Sequence, residues 1–147
     1  MAARPVSGAI ETAPAQARRF GLTRAARAAS ILEDYTELIA ELHAMSGEAR
    51  TTAIASRLGV AHPTAIKTIA RLKREGLATS EPRGGVFLTA AGSAMAERSR
   101  QRHRLVVDLL LAIGAPREAA EADAEGVEHY VSQATLDAFA AFLKTRG

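Results

Sequence analysis

The chain has 147 residues, a hydrophobic fraction of 48% and a formal net charge of +3, enough apolar material for one domain of ordinary size or two small ones sharing a core. It contains no cysteine, which excludes disulfide frameworks, thiol nucleophiles and sulfur-ligated zinc, so any metal site must use oxygen and imidazole nitrogen. No apolar run approaches the ~18–20 residues that span a bilayer, and the N-terminus lacks the apolar core of a signal peptide, so a cytoplasmic protein with no membrane partner is expected.

Residues 1–26, rich in Ala, Arg, Pro, Ser and Gly, show no sustained helical stripe and read as a disordered basic arm. Residues 1–27 hold five arginines against one glutamate, a charge able to attract polyanions. From about Ala28 the pattern changes. Tyr35, Leu38, Ile39 and Leu42 form an apolar stripe at helical spacing, with Asp34, Glu37 and Glu41 on another face. This first helix is expected to end near Gly47.

Residues 49–92 carry the clearest local signal. Thr51 or Thr52 is placed to cap a short helix whose Ile54, Ala55 and Leu58 face inward, and Gly59 ends it in the tight turn that two steeply crossed helices need, with Val60 plugging that turn. A second helix opens near His62 with Pro63 in its first turn. Its Ile66, Ile69, Ala70 and Leu72 are predicted to pack, while Thr64, Lys67, Thr68 and Arg71 point outward. Residues 77–82 and 85–89 then read as two short strands around Arg83-Gly84-Gly85, a hairpin wing. In such a module the second helix enters the major groove of double-stranded DNA, which makes Thr64, Lys67, Thr68 and Arg71 the candidate contacts, and Arg83 meets phosphate or minor groove. A winged helix used only for protein contacts is the other reading. The eleven bases against four acids in residues 48–104 argue for DNA.

A long helix should run from about Ala90 to Ile113, where Met95, Leu105, Val106, Leu109, Leu110 and Ile113 keep a helical rhythm with the stem of Arg102 until Gly114-Ala115-Pro116 stops it. Pro116 starts another helix through about Tyr130, and Ser132 is placed to cap a last one bearing Leu136, Phe139, Phe142 and Leu143. The expected fold is therefore mainly α with a small β-hairpin wing: a winged helix-turn-helix over 27–95, then a helical metal-binding and dimerisation domain over 96–147.

Glu125, Glu128 and His129 share one face of their helix, as Asp34 and Glu37 do of theirs. His103 lies on the apolar side of the long helix, where a lone histidine is more often a packed residue than a ligand. Two helices clasping an ion, with His103 completing the shell, would present four or five oxygens and one or two nitrogens, a set that suits manganese(II) or iron(II) better than zinc. Acids at these intervals also occur on solvated faces, and spacing alone leaves both readings open.

The order and spacing of "LEDYTELI" (32–39), the helix-turn-helix, "RGGVFLTAAG" (83–92), "RQRHRLVVDLL" (100–110) and "DAEGVEHYVS" (123–132) resemble the manganese transport regulators of the diphtheria toxin repressor family, over residues 28–147. That resemblance implies a homodimer that binds palindromic operators when metal-loaded and represses manganese uptake genes. It implies metal ligands at Asp34, Glu37, His103, Glu125, Glu128 and His129 for a pair of manganese(II) ions. The iron-responsive branch is similar but has methionine where this chain has Asp34 and cysteine where it has Glu125, and hard oxygen in both places favours manganese. Tyr130 departs from a commoner histidine at a position outside that ligand set. The resemblance is to the form without the further C-terminal domain of the iron-responsive relatives.

Two alternatives stand beside this reading. A helical dimetal-carboxylate metalloenzyme would use the same donors, although no separate nucleophile, acid–base partner or phosphate-cradling glycine loop is present, so no nucleotide cofactor is expected. A winged-helix regulator answering a small organic ligand would leave the acids solvated.

Overall fold

The computed structural model describes residues 10–83 and 85–146. In chain order these form α1 (Ala13–Ser46), α2 (Thr51–Leu58), α3 (His62–Arg74), β1 (Ala78–Glu81), β2 (Gly85–Leu88), α4 (Ala90–Ala112), α5 (Arg117–Tyr130) and α6 (Gln133–Lys144). None of the helices is long and apolar enough to cross a membrane.

The basic-arm reading of residues 1–26 is corrected from Thr12 onward; residues 1–9 lie outside the described residues. The Thr12 hydroxyl caps α1 by accepting from the Ala15 amide, Pro14 sits in the first turn, and α1 then runs unbroken for 34 residues. Ala, Arg and Gln are strong helix formers, and extending a helix already fixed by its packed half avoids the cost of a new nucleus. The missing apolar stripe had a different cause. Among the described residues the buried side chains of α1 begin only at Leu32, so its first half has no part in either core and needs no stripe.

α1 ends at Gly47, which adopts φ 77° and returns its amide to the His43 carbonyl. α2 follows with Arg50 at its cap position and Thr51 already helical, so neither threonine caps it. Gly59, at φ 69°, closes the tight turn, and the Val60 amide reaches back to the Ala55 carbonyl. On α3 the buried stripe is Ala65, Ile69 and Leu72, whereas Ile66 is 51% exposed. Ile69 and Leu72 pack as expected, and the difference is confined to the first turns, where Ala65 takes the buried place expected of Ile66.

β1 and β2 pair antiparallel with Ala78 opposite Leu88 and Glu81 opposite Gly85. This hairpin is pinned to the helices at its second strand. The Val86 amide donates to the Ala49 carbonyl at 2.8 Å, and His43 Nε2 donates to the Val86 carbonyl at 2.7 Å. Gly85 is required there: its φ is +83°, and a Cβ would lie 2.6 Å from the Ala49 oxygen.

Two cores result. Leu32, Tyr35, Ile39, Leu42, Ile54, Ile69, Leu72 and Val86 bury one beneath the helix-turn-helix. Val106, Val107, Ala124 and Leu136 bury the other, with Leu105, Leu110 and Phe139 against them. α4 belongs to both, since Met95 packs on the first and Val106 lies in the second. Ile113 and Phe142, expected in the stripes, are exposed.

Candidate metal centre

The acids of α1, the middle of α4 and the end of α5 meet on one side of the junction between the cores. His129 on α5 is nearly buried, and its Nδ1 lies 2.6 Å from Glu33 Oε2 on α1. A carboxylate can only accept, so Nδ1 carries a hydrogen, and Nε2 is the nitrogen that offers a lone pair once the ring gives up its second proton. That nitrogen lies 3.1 Å from Asp34 Oδ1 and 3.4 Å from Glu128 Oε1, off the direction a hydrogen bond needs.

His103 on α4 repeats the arrangement. Its Nε2 donates to Glu121 Oε2 at 3.2 Å, which turns Nδ1 toward Glu128 Oε2 at 3.1 Å and Glu125 Oε1 at 3.6 Å. Glu128 stands between the two imidazoles and is 1% exposed. Glu37 completes the group: its carboxylate accepts from Ser99 at 3.1 Å, and it lines an open cleft of about 290 Å³ with Asp34, Glu41, Arg57 and Glu125. All six residues singled out from the sequence therefore lie together.

Four atoms at the centre, His103 Nδ1, His129 Nε2 and both Glu128 oxygens, are buried without a hydrogen-bond partner. Buried polar atoms are rarely left so, because each forfeits its hydration for nothing. Both imidazoles turn one ring nitrogen inward, able to offer a lone pair on losing a proton, while an outer carboxylate holds the other nitrogen, and carboxylate oxygens surround them. An oxygen- and imidazole-ligated divalent cation fits this donor set, and His103, Glu125 and Glu128 already bring one donor atom each within 4.8 Å of one another.

The proton affinities carry the same message. Burial pushes the Glu128 carboxyl up to about 7 against the pull of His103 and His129, with Glu37 and Glu125 adding to the rise. Burial raises Glu37 too, opposed by Ser99 and reinforced by Glu125. Burial alone would lower His129, but Asp34 and Glu33 outweigh it and lift it to about 10. His103 is raised likewise, Glu121, Glu128 and Glu125 overcoming burial. Crowding and burial thus favour protons on Glu37 and Glu128, and a cation held among these carboxylates would offset the same repulsion.

Sequence reasoning passed over Glu33, Arg102, Glu121 and Ser99. Glu33 Oε2 also accepts from Arg102 Nη2, and the two cationic partners hold its carboxyl below the ordinary range despite burial. Glu33 was one acid among several in α1, and only its place on the side turned toward Leu32 and Thr36 hinted at burial.

The candidate DNA-contacting residues gather elsewhere. Thr64 and Lys67 on α3 are exposed, Thr68 and Arg71 half-buried, and Arg71 pairs with Glu75 at 3.5 Å. Arg83 is exposed at the hairpin tip, its carbonyl accepting from Arg50; Gly84 lies outside the described residues.

A helix-turn-helix with a hairpin wing, joined through one long helix to a site for a divalent cation, defines a metal-responsive DNA-binding protein. Comparison with known proteins agrees. Residues 29–86 match the N-terminal DNA-binding domain of the iron dependent repressors and residues 89–146 their metal-binding and dimerisation domain. The transcriptional regulator MntR of Escherichia coli O157:H7 is 46% identical over 128 residues, covering 87% of this chain and 83% of that one. The HTH-type transcriptional regulator MntR of Lysinibacillus sphaericus is 35% identical over 109 residues, 74% of this chain and 78% of that one. Among solved structures, a manganese-dependent transcriptional repressor in complex with manganese superposes with TM-score 0.68 at 30% identity, and the manganese regulator SloR with 0.68 at 27%. This chain is covered to 77% in both cases and spans about half the length of those two proteins. The chain belongs to the diphtheria toxin repressor family of metal-dependent, DNA-binding transcriptional repressors. The metalloenzyme alternative is not favoured.

Proposed function

We propose that the protein is a manganese(II)-responsive repressor of manganese uptake genes, a cytoplasmic homodimer that binds a palindromic double-stranded operator, with two ions per protomer held by Asp34, Glu37, His103, Glu125, Glu128 and His129. The observation that carries this reading is the set of four buried donor atoms on His103, Glu128 and His129 that face one another without a hydrogen bond. The manganese assignment is supported by the all-oxygen-and-imidazole donors and by the names of the relatives. Residues 27–95 form the DNA-binding half in this reading and 96–147 the dimerisation half, with α4 shared between them.

When bound, the ions supply positive charge and directed bonds to donors drawn from α1, α4 and α5. The residues account for how this reaches DNA. Asp34 and Glu37 ride on α1, whose apolar face is the floor on which the helix-turn-helix and the hairpin pack. Glu125, Glu128 and His129 ride on α5, in the other core. Unneutralised, the four carboxylates oppose the approach of α1 to α5; neutralised, they fix one relative position of the halves. That position sets the spacing of the two α3 helices in a dimer, which must match successive major grooves. Thr64, Lys67, Thr68 and Arg71 then face the groove and Arg83 the flanking backbone. By linkage, operator DNA tightens metal binding by the factor with which metal tightens DNA binding, typically ~1–3 kcal/mol per coupled site.

Fluorescence anisotropy with genomic promoter fragments at fixed salt, in chelator and then in graded manganese(II), tests this. Tight binding to a metal-transporter promoter only in manganese is expected. Binding indifferent to metal would overturn the reading in favour of an organic-ligand regulator.

A further inference from the structure

The first half of α1 has no part in either core, and it lies ahead of the residues that match the family's DNA-binding domain, which begin at 29. We infer that this segment is a second DNA-contacting element, a basic helix that lies along the phosphate backbone beside the groove entered by α3.

Three observations carry the inference. Phe20, Arg24, Arg27 and Ile31 stand four, three and four residues apart on an unbroken helix, so they form one stripe along α1. That stripe leads to α3, because Ile31 lines a cavity of about 280 Å³ together with Thr64 and Thr68, the first outward-facing residues of that helix. Ile31 thus ties the C-terminal end of the stripe to the face of α3 assigned to DNA, and the two guanidinium groups lie one and two turns beyond it along α1.

The charge fits one occupant. Among the described residues Arg18, Arg24 and Arg27 have no ion pair, while Arg19 is paired with Glu11 at 2.9 Å. Glu11 is the one acid in the first 32 residues. Arg24 and Arg27 lie ~4.5 Å apart along the helix axis on that stripe, and the DNA duplex carries one phosphate per ~1.7 Å of its own axis, so two neighbouring phosphates lie within reach of these side chains. A protein partner would be expected to cover a broader apolar face; Phe20 and Leu22 are exposed on opposite sides of the helix, and Phe20 already lies against the Arg19 guanidinium at 5.1 Å.

The inference rests on α3 being the groove-facing helix, and the test separates the two. Anisotropy is measured in saturating manganese(II) on a fluorescein-labelled duplex carrying a palindrome selected in vitro with the wild-type protein, and on a scrambled duplex, across a KCl series. For the Arg24→Gln/Arg27→Gln protein the slope of log K against log salt should fall by about 1.8 per protomer, the ~0.9 per phosphate of B-DNA taken twice. Both duplexes should weaken together, about tenfold or more at low salt, because phosphate contacts hold no sequence information. Glutamine keeps the helix, which circular dichroism verifies. A salt slope equal to wild type overturns the proposal, as does a dimer that dissociates in the ultracentrifuge, which would make the stripe a protein contact. A Lys67→Gln/Arg71→Gln protein addresses α3 alone. If it binds the selected duplex normally while the Arg24/Arg27 protein loses slope, the α3 assignment falls and the placement of the basic helix beside it is overturned, although its phosphate contact remains.

Discussion

His129 and Glu33 are joined by a 2.6 Å contact across the boundary between α5 and α1, and this one contact decides which imidazole nitrogen faces the acids. With Nδ1 donating to Glu33, Nε2 is left 3.1 Å from Asp34 and 3.4 Å from Glu128. Arg102 holds Glu33 from the far side. Glu33 is thus a positioning residue whose effect on an ion passes through the ring. Glu33→Ala is expected to weaken manganese(II) binding about 10- to 100-fold, the usual size of an outer-carboxylate loss. Glu33→Gln, whose amide oxygen still accepts from Nδ1, should retain most of the affinity. Competition with a metal-sensitive dye measures both, and equal affinities for the two variants would show that the contact does not orient His129.

Protons should leave when metal arrives. His129 is raised from 6.5 to about 10 and Glu128 from 4.5 to about 7, so at pH 7.5 the metal-free protein holds a proton on His129 and a fraction of one on Glu128. A coordinating imidazole must give up its second proton, so manganese affinity should climb as pH rises from 6 toward 9. Calorimetry in two buffers of different ionisation enthalpy should find at least about one proton released per protomer, with Glu128 and His103 adding to the proton of His129. A heat independent of buffer would contradict the assignment of His129 as a ligand.

The same two groups set the stability of the metal-free protein. Each has a folded-state pKa above its unfolded value, so each contributes most below that unfolded value and loses its contribution as pH rises through the folded one. The Glu128 contribution should fade between about pH 4.5 and 7 and that of His129 between about 6.5 and 10. Thermal melts in chelator should therefore fall steadily from pH 5 to 10. Saturating manganese should flatten that slope, since the cation replaces the protons, and a metal-free melting temperature that climbs over this range would refute the account.

How much of this was legible depended on whether a residue's environment is set by its neighbours in sequence. Gly47, Gly59 and Gly85 each occupy a positive φ that a turn demands, and the helix-turn-helix and wing follow from such local signals. Five of the six acids and histidines stood out because i, i+3 and i+4 spacing fixes a shared face, although a solvated face stayed open for them; His103 has no such companion on α4 and joined the set only through the family resemblance. Glu33 was not legible, because its burial depends on Arg102 and His129, which lie 69 and 96 residues away. The first half of α1 was misread for a related reason: absence of an apolar stripe reports absence of a packing partner, and Ala- and Arg-rich sequence is helical without one. On α3 the interchange of Ala65 and Ile66 reflects close approach of helices, which favours the smaller side chain at the contact.

Removing charge from the centre should separate stability from response. Glu128 is buried with neither oxygen hydrogen-bonded, so Glu128→Gln relieves a crowded carboxylate and should raise the melting temperature in chelator by a few degrees. The rise produced by manganese should nearly vanish in that variant. Glu125, whose side chain is 65% exposed, gives the complementary case. Its replacement by Ala should leave folding and dimerisation within ~0.5 kcal/mol of wild type while abolishing manganese-dependent DNA binding. Normal manganese activation of Glu125→Ala would remove that residue from the ligand set.

Gly92 offers a test of how the hairpin is coupled to the rest. It lies in the first turn of α4, where a Cβ would come 2.0 Å from the Leu77 carbonyl oxygen. That oxygen accepts from the Thr89 amide, and the Thr89 hydroxyl both donates to the Gly76 carbonyl and caps α4 at the Gly92 amide. One methyl group therefore strains the end of α3, the return of the hairpin and the start of α4 together. Backbone atoms cannot rotate away as a side chain would, so Gly92→Ala is expected to cost at least about 2–3 kcal/mol in urea unfolding. DNA affinity should fall because α3 and the hairpin lose their fixed relation, yet the donors between His103 and His129 sit a further three turns along α4 and on α5. Manganese binding at those residues should survive below the melting temperature. A Gly92→Ala protein that unfolds like wild type would mean that the junction yields, and that the hairpin is held mainly by His43 and Ala49.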